Sequence, residues 1–328
     1  PALIEAQGGF IPLDDDDEQQ ETEPDTADIE EARKSLAQRF VVPPFTVLDA
    51  RQGYWQDRKK HWLGLGIKSE LGRADARTFA QDLMRGEHTV GESSAEDDDG
   101  HTGASIFDPV VCEIVYRWFS PERATILDPF AGGSVRGIVA GMLGRRYTGI
   151  DLRPEQIQAN KEQAKQIRPE RSPKWIVGDS AKAGTIAAGK YDLIFTCPPY
   201  ADLEVYSDNP ADLSTMDYPD FLKAYRKIIA ASLVMLKPNR FACVVVGDVR
   251  GPDGVYRNFV SDTISAFQDA GAHYYNEAIL ITRVGSLPLR VGRQFEGSRK
   301  LGKTHQNLLV FVKGDPKKAT KDCGPIEL

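Results

Sequence analysis

Four consecutive residues, Cys197-Pro198-Pro199-Tyr200, could hold a planar amine for attack on an electrophile. The two prolines fix φ and remove two N–H donors, which leaves rigid carbonyl groups that can point into a cleft. A carbonyl and the small Cys197 side chain could hold the amine hydrogens, while the Tyr200 ring stacks on the plane that carries them. In isolation the segment would be taken for an ordinary Pro-Pro loop with a packing tyrosine. That interpretation is disfavoured here because a candidate cofactor pocket precedes it by one strand.

The candidate cofactor pocket begins at a glycine-rich turn, Asp128-Pro129-Phe130-Ala131-Gly132-Gly133-Ser134. Glycines let the backbone come close to a ligand and leave the N-terminus of the next helix open. The spacing is not G-x-G-x-x-G, so the segment does not match the dinucleotide-binding fingerprint. A tight turn that merely needs glycine is an equally good interpretation of this segment alone.

Two more acidic residues end the next two predicted strands. Asp151 follows Asp128 by 23 residues, a position where an acid can accept both hydroxyls of a ribose. Asp179 ends the following strand and could accept the exocyclic amine of an adenine. Each could instead cap a helix, since Pro154 and Glu155 open a helix after Asp151. Three acids in register at successive strand ends are harder to attribute to capping alone.

Short apolar runs alternate with helical segments from residue 104 onward, which is typical of parallel βαβ units buried on both faces. Ligands bind beyond the carboxyl ends of such strands. The predicted strands are 124–130, 147–151, 174–179, 191–196, 241–247, 275–283 and 307–313. Because no helix is predicted between the last two, we expect an antiparallel hairpin at the sheet edge. The predicted fold is α/β, a seven-stranded, mostly parallel Rossmann-like sheet with a small N-terminal extension.

Composition divides the chain into four regions. We predict a disordered acidic tail at 1–31, an N-terminal accessory region at 32–103, a catalytic domain at 104–314 and a C-terminal tail at 315–328. The accessory region contains a polar, glycine-rich stretch at about 86–103, which is predicted to be a mobile loop. Residues 30–40 could form a short helix. Residues 201–220 could form a lid over the pocket, or a loop that ends in a helix cap.

Composition also excludes several classes of protein. Hydrophobic residues make up 41% of the chain and charged residues 27%, the balance of a soluble globular protein. No apolar run approaches the roughly 18 residues that a membrane helix needs, and no signal peptide is visible. The four cysteines are far apart, which argues against a disulfide framework and a zinc site and favours the cytoplasm. They are Cys112, Cys197, Cys243 and Cys323.

The net charge of −7 is unevenly distributed. Residues 1–32 carry twelve acidic side chains and no basic one, so the remainder has 41 basic against 36 acidic side chains. A run of like charges this dense repels itself and is expected to stay disordered. The folded part is therefore mildly basic, which permits a phosphate-bearing partner.

Taken together, these segments resemble the motifs of the S-adenosylmethionine-dependent DNA amino-methyltransferases. Residues 128–134 resemble the D-P-F-x-G-x-G motif, 145–157 resemble the second motif, and 197–200 resemble the (D/N/S)-P-P-Y catalytic motif. Residues 104–118 lie where the family has its N-terminal cofactor helix, and 305–314 resemble its closing strand. The resemblance covers about 210 of the 328 residues. It implies a methyltransferase sheet in which the cofactor motif precedes the catalytic motif.

The resemblance implies S-adenosylmethionine as cofactor and DNA with a flipped target base as substrate, with no metal and no membrane partner. The implied catalytic residues are Cys197, Pro198, Pro199 and Tyr200. The implied cofactor-binding residues are Asp128, Phe130, Ala131, Gly132, Gly133, Ser134, Asp151, Leu152, Asp179, Ser180 and Thr196. The expected reaction transfers a methyl group to an exocyclic base amine.

The chain departs from the family pattern at two positions. Ser134 replaces the last glycine of the cofactor motif, which should narrow the approach to the methionine part of the cofactor. Cys197 replaces Asp, Asn or Ser; it is close to serine in size but is a weaker acceptor. Serine is typical of cytosine-N4 enzymes of the family, so Cys197 favours cytosine N4 over adenine N6. Cys197 could also be a covalent nucleophile or an inert buried thiol.

Two basic stretches could contact nucleic acid. Residues 285–305 form an insertion between the last two strands, and 51–77 interleave basic and aromatic residues, a combination that suits phosphates and unstacked bases. A solvated charged face is the alternative for each. The predicted nucleic-acid-binding residues are Arg290, Arg293, Arg299, Lys300, Lys303, Arg58 and Lys59.

Two other functions remain open from the sequence. Amine-methylating RNA enzymes also use a P-P-Y element, so RNA is an alternative substrate. A degenerate methyltransferase fold could instead act as a binding module that docks proteins through its acidic tail. The aspartates at 151 and 179 and the intact P-P-Y segment argue against such decay.

Overall fold

Eight short runs rich in β-branched and aromatic residues pair into one sheet in a computed structural model that describes residues 26–68, 107–200, 211–285 and 287–326. The strands are β1 (Val47–Asp49), β2 (Thr125–Asp128), β3 (Arg146–Asp151), β4 (Lys174–Val177), β5 (Tyr191–Thr196), β6 (Leu236–Val246), β7 (His273–Ile281) and β8 (His305–Lys313). Their order is β1-β7-β8-β6-β5-β2-β3-β4. Only β8 runs antiparallel to its neighbours. The predicted α/β, mostly parallel Rossmann-like fold is confirmed.

Helices cover both faces of this sheet. They are α1 (Thr26–Phe40), α2 (Gly53–Gly64), α3 (Pro109–Phe119), α4 (Val135–Met142), α5 (Pro154–Ile167), α6 (Ala183–Ile186), α7 (Tyr218–Met235), α8 (Phe259–Asp269), α9 (Pro288–Ser298) and α10 (Pro316–Cys323). Alternate residues of β5 serve the two cores: Phe195 packs with α2 to α5 and α10, and Ile194 packs with α6 to α8. Burial on both faces explains why the strands have continuous apolar runs.

The structure adds an eighth strand to the seven expected. The strand β1, from the accessory region, pairs in parallel with β7 and occupies the edge where the β7–β8 pair was expected to lie. The antiparallel pairing of β7 with β8 is confirmed, but β8 lies inside the sheet, between β7 and β6. A strand of three residues has too short a hydrophobic pattern for its place in the sheet to be predicted from the local sequence.

One sequence prediction about helices was wrong, namely that no helix lies between the last two strands. The segment between β7 and β8 contains α9, which begins with Pro288 and includes Gly292 and Gly297, two residues that weaken a helical pattern. The predicted C-terminal tail contains α10, whose Ala319 is fully buried. The helix expected at 30–40 begins earlier, at Thr26, inside the predicted acidic tail. The rest of that tail and the predicted loop at about 86–103 lie outside the described residues.

Two tryptophans and Arg58 of α2 dock the accessory region on α3 and the core around it. Trp55 is fully buried and Trp62 nearly so. Arg58 makes two 2.7 Å hydrogen bonds to Glu113 of α3, and the Trp62 indole nitrogen donates to the same carboxylate at 2.8 Å. Burial raises the pKa of Glu113, but these donors and Arg117 outweigh it and hold the pKa below its usual value. In this stretch of basic and aromatic residues, the two tryptophan rings therefore belong to the protein interior, whereas Tyr54 is 45% exposed.

We expect Arg58→Met to lower the free energy of unfolding by about 2 kcal/mol at pH 7. Removing one partner of a buried ion pair costs ~3–5 kcal/mol, and here Arg117 and Trp62 still hold Glu113 while Arg58 is itself one-third exposed. Because the pKa of Glu113 is depressed, its contribution is present above the unfolded-state pKa and disappears as the pH falls through the folded-state pKa.

Urea unfolding at pH 7 and in acid measures this effect. The control is Lys60→Met, which removes an exposed ion pair with Asp57 and should change stability by at most ~0.5 kcal/mol. Equal effects of the two substitutions would contradict a docking role for Arg58.

Candidate active site

The predicted functional segments meet at one edge of the sheet. The strands β5, β2, β3 and β4 are parallel neighbours, so the residues that follow their carboxyl ends lie on the same side. From β2 the chain proceeds outward to β3 and β4 and then returns to β5 on the other side of β2. The boundary between β2 and β5 is therefore the topological switch point, where open α/β sheets have a ligand crevice.

A fully buried carboxylate joins the two segments that flank this crevice. Asp128, at the end of β2, accepts hydrogen bonds from the Thr196 hydroxyl at 2.6 Å and from the Tyr147 hydroxyl at 2.7 Å. It also accepts from the Phe130 amide at 3.1 Å and pairs with Arg136 at 2.6 Å. Thr196 is buried and is the last residue before Cys197. Asp128 and Thr196 thus hold the glycine-rich turn and the Pro-Pro segment against each other.

Arg136, on α4, is the counterion of Asp128 and a clamp on the glycine-rich turn. Its guanidinium donates to the carbonyl oxygens of Phe130 at 2.5 Å and Ala131 at 3.0 Å, and lies 4.7 Å from the Phe107 ring centroid. Burial lowers the pKa of Arg136, but the charge of Asp128 outweighs this and raises it above its ordinary value. The cation therefore stays charged and fixes two carbonyls of the turn.

Asp151, at the end of β3, reaches across to the same turn. One carboxylate oxygen accepts the Gly132 amide at 2.9 Å, and the other accepts the Arg153 amide at 2.9 Å. Gly132 has φ +50°, in the left-handed region that favours glycine. Burial is the main reason that the pKa of Asp151 is raised. Leu152, next along the chain, is half-buried. The alternative role of Asp151 was to cap α5. The N-cap residue of α5 is Arg153, and its side chain makes no capping hydrogen bond.

The residues after β4 have a structural role that the sequence left open. The Asp179 carboxylate caps a turn of 3-10 helix at Ser180–Lys182 by accepting the Ala181 amide at 2.8 Å. The Ser180 hydroxyl donates to the Pro129 carbonyl at 2.5 Å. The hydrogen bond of Ser180 ties the loop after β4 to the turn after β2. The capping alternative for Asp179 is therefore present, and its contact with an adenine stays a prediction.

A row of buried amides on α5 supports the glycine-rich turn from behind, and the sequence analysis missed it. Asn160 donates to the Gly132 carbonyl at 2.7 Å and accepts from Gln156 at 3.0 Å. Gln163 hydrogen-bonds to the Ser134 hydroxyl. All three amides are at most 2% exposed. The spacing of Gln156, Asn160 and Gln163 places them on one helix face, and polar residues on an inward face were the available signal.

The Pro-Pro segment lies on the other side of the switch point. Cys197, Pro199 and Tyr200 are half-buried, and Pro198 is buried. The Tyr200 hydroxyl accepts from the Gln306 side-chain amide at 2.9 Å, and its ring meets the Phe259 ring edge-on at 6.2 Å. Gln306 lies at the start of β8, and no motif in the sequence indicated it as a site residue. The Tyr200 ring is thereby oriented at its hydroxyl end and against one edge.

An aromatic column, Phe130, Tyr225, Phe221 and Tyr218, connects the two flanks of the crevice. Phe130 of the glycine-rich turn stacks on Tyr225 at 5.9 Å, Tyr225 on Phe221 at 5.8 Å, and Phe221 on Tyr218 at 5.7 Å. Phe259 contacts Tyr225, Phe221 and Tyr200. The helix α7 thus supplies rings at positions 218, 221 and 225 that pack beneath both loops. Residues 211–220 are the described part of the segment 201–220, for which a lid and a loop ending in a helix cap were the alternatives. Asp217 is the N-cap of α7 and accepts the Asp220 amide, so the helix cap is present.

The predicted basic residues are divided between two places. Lys300 and Lys303 precede β8 and lie beside the hairpin that follows β6, at the carboxyl edge of that strand. Arg293 and Arg299 are exposed on and just after α9. Arg58 and Lys59 belong to α2, where both are half-buried. Arg290 lies in α9, and its side chain lies outside the described residues. The described residues contain no group of three or more His, Cys, Asp or Glu that could hold a metal ion.

Comparison with known proteins gives a likeness of fold only. No family model and no curated protein matches the chain. Among solved structures, TrmN from Thermus thermophilus is 13% identical with a TM-score of 0.43, over 63% of this chain and 49% of that one. A methyltransferase from Pyrococcus furiosus is 15% identical with a TM-score of 0.41, over 67% and 89% of the chains. Magnesium protoporphyrin IX methyltransferase from Synechocystis PCC 6803 with bound SAM is 12% identical with a TM-score of 0.38, over 59% and 71%.

The chain thus spans about half the length of the Thermus protein that it matches. At these identities and scores the likeness carries no argument about activity, which has to come from the site itself. Of the described helices, none has both the length and the apolar character needed to cross a bilayer.

We expect Asp128→Asn to lower the free energy of unfolding by about 3–5 kcal/mol, since it leaves the buried Arg136 cation without its counterion. Chemical denaturation measures the effect. Asp269→Asn is the matched control, because the Asp269 carboxylate pairs with Arg226 at 70% side-chain exposure and should matter by at most ~0.5 kcal/mol. A loss below ~1 kcal/mol for Asp128→Asn would show that the buried pair does not organise the crevice.

Proposed function

We propose that the chain is an S-adenosylmethionine-dependent DNA methyltransferase that modifies an exocyclic base amine, with cytosine N4 favoured over adenine N6. The observation that carries the proposal is the 2.6 Å hydrogen bond between Thr196 and Asp128. It holds a glycine-rich turn, which suits the cofactor, beside a Pro-Pro-Tyr segment, which suits a base amine, at the switch point of the sheet. Cofactor and target base would then meet across neighbouring loops.

The residues at the cofactor end fit S-adenosylmethionine by their chemistry. The Asp151 carboxylate can accept ribose hydroxyls, and Gly132 and Gly133 leave the turn partly exposed without side chains. Ser134 bonds to Gln163 rather than to the first turn of α4, so the amides there lack a side-chain cap. Asp179 and the half-buried ring of Phe130 would border the adenine. When bound, the cofactor supplies an electrophilic methyl group.

Asp128 and Thr196 act on the cofactor indirectly in this proposal. Both are fully buried, and both oxygens of the Asp128 carboxylate are engaged by two protein donors each. Their role is to position Phe130, Ala131 and the start of the Pro-Pro segment. Ser180 acts in the same way through the Pro129 carbonyl.

The residues at the chemical end would hold and orient the target amine. The base leaves the duplex, because its amine cannot be reached in the stack, and stacks on Tyr200. The Pro198 carbonyl and Cys197 would accept hydrogen bonds from the amine N–H groups, which exposes the nitrogen lone pair. As the N–CH3 bond forms, the S–CH3 bond of the sulfonium would break, and one amine proton would leave to solvent. Catalysis is then mostly positioning, with neither a metal nor a strong general base required. Cys197 is uncharged in this role and resembles the serine of cytosine-N4 enzymes.

The direct test incubates the protein with tritiated S-adenosylmethionine and either duplex DNA, single-stranded DNA or RNA of mixed sequence, followed by nucleoside analysis. We expect label in N4-methylcytosine from DNA. Label in N6-methyladenine would retain the DNA function and reverse the base preference. Equal or greater labelling of RNA would replace DNA by RNA as the substrate, and absence of both cofactor binding and labelling would contradict an enzyme.

We expect Asp151→Ala to weaken S-adenosylmethionine binding at least tenfold in calorimetry, because a ribose loses its carboxylate acceptor. For the wild type, affinity should fall as Asp151 becomes protonated. Because burial raises the pKa of Asp151, this loss should begin at a higher pH than for an ordinary aspartate. Asp253→Ala, at an exposed turn, is the control. Unchanged affinity in Asp151→Ala would remove Asp151 from the cofactor site.

We expect Tyr200→Ala to lower kcat/KM by about 5- to 150-fold, since base–aromatic stacking is worth ~1–3 kcal/mol. Tyr200→Phe and Gln306→Leu should each cost less, because they keep the ring and remove only the hydrogen bond that orients it. The double variant should be no worse than Tyr200→Phe, since both changes break one interaction. The control is Gln268→Leu, at an exposed position of α8. Additive losses in the double variant would show that Gln306 acts independently of Tyr200.

A further inference from the structure

A small hairpin follows β6 at the carboxyl edge of the sheet. The Gly251 amide donates to the Val255 carbonyl at 2.9 Å, and the Arg257 amide donates to the Val249 carbonyl at 2.9 Å. Gly254 closes the turn with φ +79°. Tyr256 is 43% exposed beside Val255, which is 63% exposed. The hairpin therefore presents an aromatic ring to solvent at the edge where the candidate active site lies.

Three cations from two separate segments converge on this hairpin. The Arg250 guanidinium lies 3.9 Å from the Tyr256 ring centroid, and the Lys303 ammonium lies 5.8 Å from it. The Lys300 ammonium is so close to Gly254 that a Cβ there would lie 2.5 Å from it. We call Arg250, Lys300 and Lys303 the Tyr256 cation cluster. Arg250 lies some fifty residues from the two lysines in sequence, so only the fold brings the three together.

Two members of this cluster donate hydrogen bonds to backbone carbonyl groups of the hairpin. Arg250 donates to the Gly254 carbonyl at 2.9 Å, and Lys303 donates to the Asp248 carbonyl at 2.9 Å. The neighbouring carboxylates support the loop: Asp248 accepts the Val260 amide, and Asp253 accepts the Val255 amide. Burial and the charge of Arg250 lower the pKa of Lys303, against the opposing charge of Asp248. A bound anion would relieve the repulsion between these cations.

The cluster adjoins the residue that is proposed to stack on the target base. The strand β6 is the parallel neighbour of β5, so the hairpin after β6 lies beside the segment after β5. Gln306 donates to the Tyr200 hydroxyl, and Lys303 precedes Gln306 by three residues. The phosphate groups of a nucleotide held at Tyr200 would therefore lie near these cations.

We propose that the Tyr256 cation cluster binds the phosphates of the target DNA strand next to the extruded nucleotide. Cations arranged around an exposed aromatic ring are the combination by which proteins hold single-stranded nucleic acid, and unpaired nucleotides around a flipped base present that form. The inference rests on the proposed function for the identity of the strand. It adds Arg250 and Tyr256, which no sequence pattern indicated, to the nucleic-acid surface.

The test measures the salt dependence of DNA binding, which counts phosphate contacts without requiring methylation. Fluorescence anisotropy follows a labelled 16-nucleotide single strand between 50 and 300 mM NaCl, for the wild type, for Arg250→Gln, for Lys300→Gln and for the double variant. Each contact with a single strand contributes about 0.7 to the slope of log affinity against log salt. The double variant should therefore have a slope smaller by about 1.4, with each single variant near half of that.

The control variants are Lys161→Gln and Lys165→Gln, two exposed lysines on α5. They remove the same net charge away from the hairpin, so their slopes should match the wild type. Tyr256→Leu is a further variant that should weaken binding with little change in slope, since it removes a ring and no charge. Circular dichroism at each salt concentration establishes that the variants are folded.

Four results would overturn the inference. They are equal slopes in the wild type and the double variant, an equal reduction of the slope in the control variants, a reduction of the slope with RNA of the same sequence but not with DNA, and binding of an acidic peptide with the sequence of residues 14–31 to the cluster in preference to DNA. A reduced slope in a protein that methylates no nucleic acid would support the cluster as a DNA-phosphate site while the proposed reaction fails.

Discussion

The buried carboxylate of Asp128 is the constraint on which the candidate site depends. A carboxylate without solvent is costly unless its charge and its lone pairs are satisfied. Here one cation and three neutral donors do so, and each comes from a different piece of the site: Arg136 from α4, Tyr147 from β3, Thr196 from β5 and an amide of the glycine-rich turn. Because the donors must converge on one group, the pieces that carry them have little freedom to move apart.

Hydrogen bonds stabilise one side of the site around this carboxylate, and packed aromatic rings stabilise the other. Asp151 accepts the Gly132 N–H, and Asn160 of the amide row on α5 donates to the Gly132 carbonyl. On the other side, Phe130 continues into the aromatic column of α7, which reaches Tyr200 through Phe259. The glycine-rich turn and the Tyr200 ring therefore share one supporting layer. Loops held in this way are suited to catalysis by positioning, in which a displacement of about 1 Å matters.

The accessory region and the insertion before β8 contribute in different ways. The helix α2 uses its tryptophans and Arg58 to pack against α3, and β1 extends the sheet beside β7. The insertion instead keeps much of its charge and several apolar side chains in solvent, including Leu289 and Leu301 at 88% and 70% exposure. Some basic side chains, such as Arg58, therefore stabilise packing between helices. Others, such as Lys300 and Lys303, lie at the edge of the sheet where the crevice is.

The alternation of strands and helices, the strand ends at Asp128, Asp151 and Thr196, and the fold class could be predicted from the sequence alone. They follow from local pattern, because a buried parallel strand requires a continuous apolar run and because polar residues and glycines interrupt that run after these three strands. Local pattern could not reveal β1, which is too short, or α9, whose glycines obscure its period.

Nor could local pattern separate Arg58, which pairs with a buried glutamate, from Lys300 and Lys303, which adjoin an exposed tyrosine. Those roles, like the contacts of Gln306 and of the amide row, follow from three-dimensional packing. Whether a side chain is buried, and what it bonds to, depends here on residues 28 to 106 positions away, whereas composition and spacing describe only immediate neighbours.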